Sequence, residues 1–196
     1  MLSVNVQGYS PACSPTVGGA DLLLVGDAAD FDFTEGAPDS NGNPTGYSAI
    51  ARRSGATTSG GAYLYEIKSL QDSIMVEISQ ANSDFSSSEY QYVVGAKLAK
   101  MSQAMTNFNK KMDAASVCGQ LVFVWRNNDG SIFVAGEKFV NGVQVIRFRF
   151  RQDGSKIGNG KKFSDFNGQD LSFKASYLRA PYEFTGGIGS ITGMMP

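Results

Sequence analysis

The chain has 196 residues, 42% of them apolar and 18% charged, with 17 basic and 18 acidic side chains and no histidine. That length supports one domain with a real core, and the balance is not that of a disordered chain. The lack of histidine excludes Ser-His-Asp and Cys-His catalysis, His-ligated metals and an imidazole proton shuttle.

Cys13 and Cys118 lie far apart in the sequence and form no CxxC pair. They cannot supply a four-thiolate zinc site, and two free thiols are favoured over a disulfide. No segment approaches the ~20 apolar residues of a membrane span. The N-terminus lacks the basic and apolar regions of a signal peptide, so cytoplasmic synthesis is expected.

Charge is segregated along the chain. Residues 1–89 hold eleven acids and three bases, and residues 90–196 hold seven acids and fourteen bases. Either the halves interleave and cancel, or an acidic face docks on a basic face of another copy. Head-to-tail contacts of the second kind make rings or filaments.

In chain order, residues 1–20 are rich in Pro, Ser and Gly and read as an irregular N-terminal arm. Asp21–Gly26 is a buried strand and Phe31–Thr34 a second. Residues 35–61 form a long Gly/Ser-rich loop in which only Tyr47–Arg53 has strand character. A loop of that length suits contact with a partner. Tyr63, Tyr65 and Ile67 alternate with polar or smaller neighbours, which predicts a strand with that set inward. Ser73–Gln80 and Glu89–Leu98 form a hairpin through Ala81–Ser88.

Ser102–Ser116 is the one convincing helix. Ser102 is its N-cap, and Met101, Met105, Phe108, Met112 and Ala115 make an apolar stripe, with Asn107, Lys110 and Lys111 opposite. Gly119 is a stop signal. Hairpins follow at Asn127–Gly130 and Asn141-Gly142, and a further turn spans Asp153–Gly160. Val145–Arg151 reads as a strand with Ile146, Phe148 and Phe150 on one face and Arg147, Arg149 and Arg151 on the other. Leu171–Leu178 is the last strand, and residues 186–196 form a Gly-rich tail, either frayed or docked on a neighbour.

The expected fold is α+β and mainly antiparallel β. It is a β-sandwich or partly open barrel with one amphipathic helix at about 101–116 and a single domain over 21–185.

Little in the chain points to catalysis, and no cofactor or metal is expected. The glycine clusters at 18–19 and 186–189 do not sit on strand-to-helix turns. Asp27, Asp30, Asp32 and Glu35 lack calcium-loop spacing. Glu66 or Glu77 beside a partner acid would be the minimal hydrolase arrangement. The arginine strand suits pairing with an acidic protein partner better than nucleic acid, because its aromatics point away. Tyr63, Tyr65, Tyr90, Tyr92 and Trp125 would make a sugar platform only if they faced solvent.

The order of elements resembles the major tail tube proteins of long-tailed bacteriophages. The likeness rests on the helix Met101–Ser116, the link Val117-Cys118-Gly119 and the strand–hairpin–strand run Leu121–Gly136. It rests also on the closing strand from Gly168 through Leu171 and Phe173, and on the N-terminal stretch Cys13–Gly19. This resemblance implies a non-enzymatic virion protein that self-assembles into stacked, hexameric rings with a DNA-conducting lumen. Its partners would be further copies of itself, the tape measure, and the terminator and baseplate or tip proteins. DNA would pass without specific binding, and no membrane is involved. Arg147, Arg149, Arg151, Lys110, Lys111, Asp27, Asp30 and Asp32 are then expected at subunit interfaces. Gly42, Tyr47, Arg52 and Arg53 are expected on the loop that contacts the next ring. Alternatives are a terminator or neck ring of the same fold, or a sugar-binding sandwich.

Overall fold

A computed structural model describes residues 19–42, 45–54, 62–70, 72–83, 87–99, 102–118, 121–145, 149–158, 168–178 and 180–196. The N-terminal arm through Gly18, with Cys13, lies outside the described residues, as do Met101, Gly119, Ile146, Arg147 and Phe148.

The strands are β1 (Ala20–Asp27), β2 (Phe31–Glu35), β3 (Tyr47–Arg52), β4 (Tyr65–Glu66), β5 (Met75–Ser83) and β6 (Ser87–Ala99). After helix α1 (Gln103–Val117) come β7 (Leu121–Asn127), β8 (Ile132–Ala135), β9 (Phe139–Val140) and β10 (Val143–Gln144). β11 (Arg151–Gln152), β12 (Lys156–Gly158), β13 (Gly168–Tyr177), β14 (Tyr182–Glu183) and a short helix α2 (Ile188–Thr192) complete the chain.

These elements make three sheets. A central sheet runs β14-β8-β7-β1-β4, a small sheet β10-β9-β2-β3, and a large sheet β11-β13-β6-β5 with β12 also on β13. Leu22–Val25 of β1 and Leu121–Trp125 of β7 are unbroken apolar runs because the central sheet is covered on both faces. Leu23, Val25, Phe123 and Trp125 point into a first core with Tyr92, Val94, Leu171 and Phe173 of the large sheet. Leu24, Val122 and Val124 point the other way, into a second core with Phe31, Phe33, Tyr47 and Ile50. The fold is a layered, mainly antiparallel sandwich, with β2 and β9 paired in parallel, whose sheets do not close into a barrel.

α1 follows its sequence signals. The Ser102 hydroxyl accepts the Met105 N–H at 3.2 Å, and Met105 and Met112 are buried beside the partly buried Phe108 and Ala115. The Asn141-Gly142 turn also holds. Both residues have positive φ, 52° and 76°, as a two-residue hairpin of this hand requires.

Three expectations need correction. The strand expected over Val145–Arg151 is not continuous: among its described residues only Arg151 is in a strand. Its ends serve different sheets, since β10 pairs with β9 and β11 with β13. The segment is a crossover. In the run near residue 65, only Tyr65 and Glu66 pair as a strand, and Leu64 rather than Tyr65 is buried. The C-terminal tail docks on its own chain, with Ile191 fully buried in the second core. Of the two readings of the charge split, the halves interleave, because every sheet takes strands from both.

Candidate assembly surface

β5 forms one edge of the large sheet. Its nine residues all pair with β6, from Met75↔Gly95 to Ser83↔Ser87, with no register shift. Among the described residues, the other side of β5 has no partner strand. Folded chains blunt such edges with short strands, Lys, Pro or bulges, because an open ladder templates pairing with another chain. β5 is long and has no Lys, Pro or bulge; its one charged side chain is Glu77, and Met75 and Ile78 are exposed on it. Beyond the rung Tyr90↔Tyr177 the β5–β6 hairpin continues, and among the described residues no third strand pairs beside it.

The remaining edges are managed. β4, β10, β11 and β14 are two residues long and β12 three. β3 is longer, but the C-terminal segment meets it. Phe184 bridges to Tyr47, the Thr185 N–H donates to the Tyr47 carbonyl at 2.8 Å, and Arg52 donates to the Gly193 carbonyl at 3.3 Å.

The opposite edge of the large sheet is basic. Arg149 and Arg151 are exposed around the buried Phe150, whose ring lies 4.8 Å from Phe123 and 6.3 Å from Tyr92. Both arginines line an open cleft of about 610 Å³ with Lys174, Asp153, Gln91 and Ser176. Asp153 pairs with Lys174 at 2.9 Å. Arg151 stands directly opposite Lys174 on the neighbouring strand, a like-charge pair that costs stability. Among the described residues neither arginine has a carboxylate within ion-pair distance.

The other residues expected at interfaces fare differently. Lys110 and Lys111 are exposed on α1, as expected. The acids, however, are drawn into their own chain. Asp27 accepts the Ala29 N–H at 2.8 Å, and Asp32 accepts the Gly142 N–H at 3.0 Å. Burial pushes the Asp27 carboxyl above its ordinary range, against the lowering effect of the Ala29 bond. Asp30 is buried.

On the loop, Gly42 and Arg52 are exposed as expected and Arg53 is partly buried. Tyr47 is fully buried and donates to Glu137 Oε1 at 2.7 Å, so its side chain does not reach another ring. Its isolated aromatic ring in a polar loop belongs to the second core. Arg52 donates to the Ala62 carbonyl at 2.7 Å and lies over Tyr63. Arg53 donates to the Ala29 carbonyl at 3.1 Å and lies 3.4 Å from the Phe139 ring centre. Both arginines therefore staple their own chain.

The aromatic platform is not assembled. Tyr92 and Trp125 are buried in the first core and Tyr65 is exposed on β4. Sequence reasoning missed the bare β5 edge and Lys174. The signal for the first was available: residues 73–83 contain no Lys, Arg or Pro. The described residues gather no group of three or more metal-ligating side chains. No helix among them is long and apolar enough to cross a membrane. No protein-family model, curated protein or solved structure matches the chain.

Proposed function

We propose that this protein is a self-assembling structural subunit, the repeating unit of a bacteriophage tail tube. The observation that carries the reading is the bare nine-residue edge of β5. A chain that shortens or covers its other edges keeps one long ladder open, and such a ladder takes another strand. The tube role draws on the element order around α1 and the β7–β8 hairpin. In that role the copies stack as rings, with DNA passing through the lumen, in a tail made in the host cytoplasm. The tape measure, terminator and tip proteins would be its virion partners. No step of this function calls for catalysis.

Negative-stain electron microscopy and sedimentation velocity of the purified chain over a concentration series test the proposal. Hollow rings or tubes are expected. A monomer at every concentration, including after seeding with preformed tail tips, would overturn it. The sugar-binding alternative is disfavoured because Tyr92 and Trp125 are enclosed.

A further inference from the structure

We infer that the β5 edge of one copy docks against the basic β11–β12 edge of the next, head to tail, with Glu77 meeting Arg151. This rests on the self-assembly reading above and names its contact. Glu77 and Arg151 are the two ends of a single rung, Glu77–Val93–Lys174–Arg151, that runs across β5, β6, β13 and β11 of the large sheet. Residues directly opposite one another share a face, so both charges stand on the outer face, and both are exposed. Three strand spacings separate them, about 14 Å.

Strand direction fits the same contact. β5–β6, β6–β13 and β13–β11 are all antiparallel. β5 and β11 therefore run in opposite directions, and a like-oriented neighbour's β11 laid beside β5 continues the antiparallel alternation. β12 is exposed along its length and extends the receiving edge, with Ile157 half-exposed on it.

Charge selects this pairing over its rivals. Residues 72–83 carry Asp72 and Glu77 and no base. Residues 149–158 carry Arg149, Arg151 and Lys156 against Asp153, which is held by Lys174. Two β5 edges paired with each other would set acid against acid. A neighbour's Glu77 beside Arg151 instead relieves the like-charge rung with Lys174. Single-stranded nucleic acid would want stacking aromatics in the cleft, and the one ring that lines it, Tyr92, is fully buried. A head-to-tail contact leaves each copy with one donor and one acceptor edge, so it repeats into a ring or filament.

The test uses Glu77→Arg, Arg151→Glu and their mixture, after far-UV circular dichroism and melting confirm that each is folded. Each variant alone should raise the assembly threshold by about tenfold or more. An equimolar mixture should restore assembly, because each variant then offers the other a complementary edge and the copies alternate. If either single variant assembles like the unmodified chain, the contact is wrong while self-assembly stands. Folded variants whose mixture stays monomeric overturn the head-to-tail pairing. Normal assembly of Arg151→Glu with lost retention on immobilised duplex DNA would reassign the cleft to phosphodiesters. An unmodified chain that never assembles removes both this inference and the reading beneath it.

Discussion

β3 and β5 are both long edge strands, six and nine residues, yet the chain treats them in opposite ways. Across β3 it lays its own C-terminal segment: Phe184 bridges, Thr185 donates, and α2 drops Ile191 into the second core. Across β5 none of the described residues lays a strand. The contrast separates stability from assembly. One edge is closed by intrachain burial, and the other is the edge proposed above for an interchain ladder. Breaking the first should unfold the protein, whereas blocking the second should leave a sound monomer.

The largest effect is expected at the closed edge. Ile191→Ala removes a fully buried side chain under α2. Such truncations cost 2–5 kcal/mol, and about 3 kcal/mol is expected here. Chemical denaturation reads the loss, and hydrogen exchange should rise first in β3. An unchanged midpoint would show that α2 does not hold that edge. Gly46→Ala should cost about 2 kcal/mol. Gly46 has φ of 117°, and an added Cβ would run into the Glu183 carbonyl where the two segments approach.

At the open edge, Ile78→Lys should do the reverse. Ile78 is 36% exposed, so monomer stability should change by under about 1 kcal/mol. Assembly should nonetheless fail, because a lysine in mid-edge is a natural block to strand addition. Sedimentation velocity distinguishes the two outcomes, and tubes of normal length would show that β5 is not the joining edge.

How far the sequence reveals this contrast depends on the range of the forces involved. α1 is legible because its stripe, cap and outer lysines are local. The Asn141-Gly142 turn is legible because only two positive φ angles are needed. The doubly buried β1 and β7 announce themselves as unbroken apolar runs. Sheet partners are not local. Val145–Arg151 alternates like one strand, and Phe150 and the two described arginines do keep their opposite faces. Alternation says nothing about which sheet each end joins, and the two ends join different ones. Tyr47 is misplaced for a related reason. A polar, Gly-rich loop hides a hairpin return whose single ring belongs to a distant core. The assembly surface is half legible. The arginines stand out by composition, whereas the edge opposite them is defined by the lack of a pairing strand among the described residues.

The smallest effect concerns a charge pair already satisfied inside the chain. Asp21 at the start of β1 accepts two bonds from Arg126 on β7, at 2.9 and 2.6 Å. This joins an acid of the first half to a base of the second within one sheet. The Arg126 bond holds the Asp21 carboxyl below its ordinary range, against a small opposing effect of burial. A carboxyl with a lowered folded pKa stabilises the fold above its unfolded pKa, near the reference value of 3.8, and loses that contribution as pH falls through the folded value. Both side chains are more than a third exposed or close to it, so solvent screens the pair. Asp21→Asn should therefore cost only about 0.5 kcal/mol at pH 7. The difference from the unmodified chain should shrink in high salt and vanish below the folded pKa of Asp21. A large, salt-independent loss would mean that Asp21 supports the start of β1 by more than charge. A small one sharpens the comparison: an acid–base pair inside the sheet adds little to strands already joined. The same chemistry between Glu77 and Arg151 would decide whether two copies join at all.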